Sequence, residues 1–262
     1  MSFDINELAQ NLITARRQGI PLETLIPAGT KGNIADAVRV QQEVVRRQVA
    51  GGDKIIGFKL GNIAKAMQTK FGVAEPDFGY LLDSYLRPEN LPISANEFIA
   101  PYVELEPAFV LKSDLGGTHV NITDVINATA YVIPALEIID SRIKDWKIDS
   151  FETLADGGSV GAIMLSAQPR LLSELILSDM AGEIRVDGEV VARGNTRDIG
   201  GNPVSAIAWL CRRVAEYGIG FRKGDVILAG SCLAAVEMTP GTQISGRFHG
   251  WGDIGFDYTA AD

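Results

Sequence analysis

"PYVELEPAFVL", Pro101 to Leu111, poses the central problem of this chain. Two carboxylates, Glu104 and Glu106, stand two positions apart in an otherwise apolar run. In a strand, that spacing puts both on one face. A third acid, Glu137, lies in "VIPALEIID", residues 132–140, which also reads as a short buried strand. Burying one unpaired carboxylate is costly, and burying three together is prohibitive unless a cation joins them. A hard divalent ion with oxygen ligands, Mg²⁺ or Mn²⁺, resolves the conflict. The alternative puts Glu104 and Glu106 on the solvent side of an edge strand with lysine partners, and Pro107 suggests an edge or a bulge. Glu137 is harder to move into solvent, because nothing around it looks solvated.

The surrounding 262 residues are ordinary for a soluble globular chain, with 46% hydrophobic and 22% charged residues. A net charge of −9 argues against nucleic-acid and anionic-membrane partners. Two cysteines and two histidines are too few for a disulfide framework or a Cys/His zinc cluster. "MSFDINELAQ" carries acids where a secretory signal would be basic then apolar, and no apolar run is long enough to span a bilayer. The expected location is cytoplasmic.

Helical periodicity appears first. "FDINELAQNLITARRQG" places Phe3, Ile5, Leu8, Leu12 and Ile13 near one stripe and stops at Gly19. "NIADAVRVQQEVVRRQVAGG" repeats the pattern behind an Asn33 cap. A strand, "KIIGFKLG", and a polar helix from about Ile63 follow. After "AEPDFGYLLDSY" the texture turns to strands, with a helix expected over "TDVINATAYV" capped by Thr123. "EIRVDGEVVAR" is expected to be a hairpin turning at Asp187-Gly188, and "NPVSAIAWLCRRVAEYG" a helix capped by Asn202. "GDVILAGS" and "TQISGRFHGWGDIGFDY" supply further strands. Without regular βαβ alternation the class is α+β. The expected organisation is one domain over 1–262, with a mainly helical lobe at 1–75 and a β-rich core at 76–262.

Several chemistries lack their motifs. There is no G-x-G-x-x-G after a strand, no P-loop and no G-x-S-x-G elbow; "GGSVG" at 157–161 resembles the last only superficially. His119 and His249 read as surface or structural residues. Cys232 follows a strand, but with no base to activate it a small buried residue is the better reading.

"GFKLGNIAKAMQTKFGVAEPDFGYLLDSY", "PYVELEPAFVL", "VIPALEIIDSRIKDWKI" and "TLADGGSVG" resemble successive blocks of the 2-keto-4-pentenoate hydratase family. That family lies in the fumarylacetoacetate hydrolase superfamily and includes the 4-oxalocrotonate decarboxylases. The resemblance runs from about Val38 to the "GDVILAGS" strand and beyond. It implies a fumarylacetoacetase C-terminal-like mixed β-roll or sandwich. It further implies that Glu104, Glu106 and Glu137 hold Mg²⁺ or Mn²⁺, that Lys59 and Asp77 are catalytic, and that Asp156 and Ser159 contact substrate. Read alone, Lys59 could be an exposed strand lysine, and Asp77 a turn former before Gly79. The implied substrate is a short 2-hydroxy-2,4-dienoate or related 2-oxo acid, met late in the meta-cleavage breakdown of aromatic rings. Such an acid chelates the ion, which stabilises the enolate formed as a proton moves along the chain. The family also implies a homo-oligomer, with a pathway enzyme as a further partner.

The chain departs from the family pattern at identifiable places. Ile63 and Ala64 replace a Thr-Ser pair, with Asn62 the nearby polar residue. Tyr102 replaces an arginine, Pro107 an aliphatic residue, and Gly157-Gly158 an Asn-Ala pair. Such changes fit an altered substrate or outcome, and equally a non-catalytic binding partner. Hydration of a dienoate is the leading expectation and decarboxylation of a 2-oxo dioate the runner-up. The latter needs a cation for the second carboxylate, with Arg142 and Lys147 as candidates. Hydrolysis or tautomerisation, known elsewhere in the superfamily, is the third, and scarce histidines argue against hydrolysis.

Overall fold

The computed structural model describes residues 3–27, 29–73 and 75–261. The chain opens with α1 (Ile5–Gln18) and α2 (Ile34–Ala50), as their stripes require. The side chain of Asp4 caps α1 and that of Asn33 caps α2, each accepting from a backbone amide of the first turn. Gly19 ends α1 at φ 66°, a left-handed value that favours glycine. Then follow β1 (Ile55–Gly61), α3 (Lys65–Phe71), β2 (Asp77–Leu82), and the short β3 (Leu86–Arg87) and β4 (Ile93–Ser94). Next come β5 (Tyr102–Leu111), α4 (Ile122–Ala128), β6 (Thr129–Ile139), α5 (Ser150–Ala155) and β7 (Val160–Leu165). The remainder is β8 (Ala181–Val186), β9 (Glu189–Asn195), α6 (Pro203–Ala215), β10 (Val226–Leu228), β11 (Val236–Glu237), β12 (Thr242–Phe248) and β13 (Gly252–Thr259). Among the described residues, no helix is long and apolar enough to cross a membrane.

The strands form two sheets. The larger runs β2-β1-β10-β5-β6-β7-β3, with β11 also paired to β5; the smaller runs β4-β13-β12-β8-β9. Strand β1, from the mainly helical first part of the chain, lies between β2 and β10 inside the larger sheet. Odd-numbered Val103, Leu105 and Phe109 of β5 join the main apolar core. Leu105 presses on Gly182 and Gly246 of the smaller sheet, where a Cβ would lie 3.2 Å and 2.8 Å from its methyl carbons. Even-numbered residues of β5 point the other way, and Glu104 and Glu106 are among them.

Three expectations are corrected. Pro107 does not mark an edge or a bulge, because β5 is an interior strand paired on both sides. Proline is tolerated because the partner on one flank is interrupted. Strand β10 pairs only with residues 108–110 and β11 only with 102–103, so Pro107 falls in the gap between them. Its carbonyl still accepts from Ala229 N at 3.2 Å. Helix α4 is capped by Asn121, not Thr123. The Asn121 side chain accepts from the Thr123 amide at 2.8 Å and also from the Thr123 hydroxyl. That helix stops at Ala128, and "TAYV" instead begins β6, where β-branched and aromatic residues suit the sheet. The hairpin at Asp187-Gly188 has φ 50° and 84°, as its type I′ turn requires.

Candidate metal centre and active-site pocket

Antiparallel pairing of β5 with β6 assembles the acids. Glu104 stands directly opposite Glu137, and Glu106 opposite Ala135. Opposed side chains share a face, so the three carboxylates converge, with one oxygen from each lying within 4.8 Å of the others. None is more than 2% exposed. The solvent-facing reading of Glu104 and Glu106 is therefore set aside.

Their oxygens are largely unpartnered. Oε1 of Glu104, Oε1 of Glu106 and both carboxylate oxygens of Glu137 make no hydrogen bond. Glu106 Oε2 accepts from Gly230 N at 2.8 Å. Burial pushes all three carboxyls up, and repulsion from Glu137 adds to this for Glu104 and Glu106. Glu104 rises to about 8. Apart from the Lys59 ammonium beside Glu137, these four oxygens meet no donor, and a cation would satisfy them.

Lys59 is also buried, on β1, so it is not an exposed strand lysine. Its Nζ lies 3.3 Å from Asp77 Oδ1 and 3.4 Å from Glu137 Oε1. Burial pulls its pKa down, but the surrounding carboxylates, Asp77 first, outweigh burial and hold it above the ordinary lysine value. Asp77 begins β2 and is not in a turn. Its second oxygen accepts from the Thr153 hydroxyl at 2.8 Å. Two glycines make room for the pair. A Cβ at Gly61 would lie 2.2 Å from Asp77 Oδ1 and 2.6 Å from Lys59 Nζ; one at Gly158 would lie 2.3 Å from Lys59 Cε. With Glu104, Glu106, Glu137 and Asp77 all ionised, four acids face one ammonium. A dication removes two of the three excess negative charges.

The pocket beside this centre is lined by Lys59, Asp77, Glu104, Thr153, Gly158 and Ser159 on its polar side. Its other wall is apolar, formed by Met67, Phe71, Val73, Ile139, Trp146 and Ile148. Ser159 thus reaches the pocket, whereas Asp156 does not line it. The Asp156 carboxylate takes Arg142 Nε at 2.5 Å, the Arg142 amide at 3.1 Å and the Ser159 hydroxyl at 3.2 Å. Arg142 in turn donates to the carbonyls of Asp140, Val160 and Asp156. Lys147 is exposed and paired with Asp145. Neither Arg142 nor Lys147 therefore offers a cation to the pocket.

The departures from the family pattern now have places. Asn62 lines the pocket, and its amide nitrogen donates to the carbonyls of Val73 and Glu75. Ile63 packs on Gly230, whose missing Cβ leaves its methyl room. Tyr102 meets the rings of Phe71 and Trp146 edge-on at 5.6 Å and 5.3 Å, with Lys70 Nζ 4.6 Å over its own ring. An apolar buttress thus stands where an arginine was expected. Thr153, Gly61, Gly158 and the Gly230 amide were not found by sequence reasoning. Their roles arise from contacts between distant segments, and no local pattern announces them.

No protein-family model matches the chain. Curated relatives do. The 2-keto-4-pentenoate hydratase of Paraburkholderia phymatum is 34% identical over 250 residues, 95% of each chain. The 2-hydroxypent-2,4-dienoate hydratase of Pseudomonas putida is 38% identical over 220 residues, 82% of this chain and 97% of that one. The chain belongs to the 2-keto-4-pentenoate hydratase family. Among solved structures, the 4-oxalocrotonate decarboxylase of Pseudomonas putida G7, complexed with magnesium and adipate, superposes with a TM-score of 0.92. It is 31% identical, and 97% of each chain is covered. The fold is that of the fumarylacetoacetate hydrolase superfamily, as the resemblance implied.

Proposed function

We propose that the chain is a divalent-metal-dependent lyase that hydrates a short 2-hydroxy-2,4-dienoate to a 4-hydroxy-2-oxo acid. The observation that carries this reading is the convergence of buried carboxylates from Glu104, Glu106 and Glu137, four of whose six oxygens make no hydrogen bond. Those three side chains would hold Mg²⁺ or Mn²⁺, which supplies Lewis-acid attraction for the carboxylate and 2-oxygen of the substrate. The remaining work falls to neighbouring residues. Lys59, kept as an ammonium by its acidic neighbours, stabilises negative charge as the dienol loses its hydroxyl proton. Asp77 Oδ1 takes or returns that proton, while Thr153 orients the carboxylate from behind. Protonation at the far end of the diene gives an α,β-unsaturated ketone, to which water adds. Ser159 contacts the substrate, and Asp156 acts through it by holding the turn.

Decarboxylation of a 2-oxo dioate is the second reading, favoured by likeness to the decarboxylase. Against it, Lys59 is the sole cation lining the pocket among the described residues, and two carboxylates already engage it. A second substrate carboxylate would meet Phe71, Met67 or Trp146 and lose hydration without compensation. We extend the reading to a cytoplasmic homo-oligomer with a pathway enzyme as partner, supported by family resemblance alone.

The test follows the dienol absorbance of 2-hydroxypenta-2,4-dienoate with added Mg²⁺ or Mn²⁺, with product analysis for CO₂. Metal-dependent loss without CO₂ release is expected. Glu106→Gln is expected to abolish metal binding and turnover with the fold intact, and retained activity refutes the metal assignment. Lys59→Ala is expected to lower kcat mainly; an effect confined to KM makes Lys59 a binding residue.

A further inference from the structure

A second cavity lies across the 156–159 turn from the metal centre. It encloses about 290 Å³ between α1, α2 and that turn. Its apolar walls include Leu12, Ile13, Val44, Val45 and the rings of Tyr80 and Tyr85. The charged residues on its wall are Arg16, Arg17, Arg142 and Asp156. Arg142 and Asp156 neutralise each other at 2.5 Å. Arg16 lies over the Tyr85 ring, 4.1 Å from its centroid, and donates to the carbonyls of Val160 and Gly161. Arg17 is exposed and makes no ion pair among the described residues. Buried Asp140 and Asp156 together offset Arg16 and Arg142, so Arg17 carries the positive charge left unbalanced beside an apolar, aromatic-walled space. That combination suits a small organic anion with a flat apolar body.

The same cavity touches the catalytic pair through one turn. Asp156 and Gly157 line the cavity, whereas Gly158 and Ser159 line the active-site pocket. Residues 157–159 have φ 67°, 63° and 56°, an uncommon run of left-handed conformations. Gly157 O packs on Gly79 so closely that a Cβ there would lie 2.0 Å from it. Gly158 abuts Lys59 with equally little slack. A displacement of Gly157 would be carried to Gly158 and so to Lys59, because packed interiors transmit strain.

We propose that this cavity is a second binding site, for a small aromatic carboxylate, and that its occupancy alters turnover by shifting the 156–159 turn against Lys59. Binding stands by itself; its effect on turnover rests on the lyase reading. The probe is benzoate, titrated calorimetrically against the full chain, with oxalate as the active-site competitor. Saturable binding is expected at about 1 mM or tighter. Oxalate plus Mg²⁺ should leave it in place, whereas Ile13→Trp and Val44→Phe, which fill the cavity from half-buried positions, should weaken it at least about tenfold. Saturating benzoate should change kcat in the unaltered chain and not in the filled variants. Absence of saturable binding, displacement by oxalate, or equal binding by folded filled variants overturns the site. Binding with unchanged kcat overturns the coupling. Benzoate binding in a chain that turns over no dienoate upholds the site and removes the lyase reading instead.

Discussion

Glu104 and Glu137 are directly opposed partners on β5 and β6, and both are removed from water. Like charges in that arrangement destabilise a sheet, and desolvation compounds the effect. The pair is tolerable when a cation lies between them or when protons neutralise them.

A reversal of sign follows for Glu104→Gln, which removes one of the opposed acids and leaves the Lys59–Glu137 contact in place. In EDTA at neutral pH, the variant should unfold at a higher temperature than the unaltered chain, because a buried like charge is gone. The gain should be about 1 kcal/mol or more, roughly 2–4 °C for a chain of this size. With saturating Mg²⁺ the order should invert, since only the unaltered chain gains binding energy. Thermal melts in both conditions check this; an unchanged order counts against the metal centre.

Gly158→Ala should impair catalysis more than stability. The new Cβ would lie 2.3 Å from Lys59 Cε and 2.6 Å from Nζ, at φ 63°. The left-handed backbone costs about 1–2 kcal/mol. Displacing Lys59 should lower kcat by about 100-fold. A denaturation curve and a kcat measurement separate the two effects, and an unaltered kcat would show that Lys59 is not held by this contact.

Thr153→Val removes the hydroxyl that donates to Asp77 Oδ2 at 2.8 Å. A buried charge-assisted hydrogen bond of this kind contributes about 1.5–3 kcal/mol. A drop in kcat of about tenfold is expected, with KM little changed and activity restored by Thr153→Ser. Failure of serine to restore it would mean that packing, not the hydroxyl, matters.

Substrate choice should follow the apolar wall of Phe71, Met67 and Trp146. The ratio of kcat/KM for 2-hydroxypenta-2,4-dienoate over the analogue carrying a terminal carboxylate should be about 100 or more, because that carboxylate would be desolvated without a cation. Steady-state kinetics on the two substrates decide the matter. A preference for the dioate would transfer support to decarboxylation.

Cys211 and Cys232 should behave as core residues. Burial pushes both thiols up to about 12. Their ionisation is deferred in the folded chain, so between about pH 9 and 12 the unfolded chain releases protons that the folded one keeps. Stability contributed by these thiols is therefore intact below pH 9 and lost as pH rises through that window. A thiol reagent at pH 8 should label neither cysteine until denaturant is added. Rapid labelling of Cys232 in the folded chain would reopen its reading as a nucleophile.

Much of this molecule was legible in local pattern. The two long N-terminal helices, the Gly19 stop of the first and the Asn33 cap of the second, the Asp187-Gly188 hairpin and the Asn202 cap all depend on residues within a few positions of one another, where propensity and capping act. Glu104 and Glu106 also share a face by strand period alone. Other features were opaque for a corresponding reason. Asn121 took the cap from Thr123 because a carboxamide one residue before the helix reaches the free amides better. Pro107 sits in an interior strand because two separate strands, β10 and β11, leave it a gap.

Residue order along the chain sufficed for the acidic pattern, the helix ends and the likeness to a family, because each is a matter of neighbours or of matching blocks. Long-range pairing was needed to set Glu137 against Glu104, to bring Lys59 and Asp77 together between Gly61 and Gly158, and to divert Arg142 onto Asp156. Those contacts join segments up to about a hundred residues apart. Their register is fixed by burial of the opposite sheet face against the smaller sheet, which no local stretch encodes.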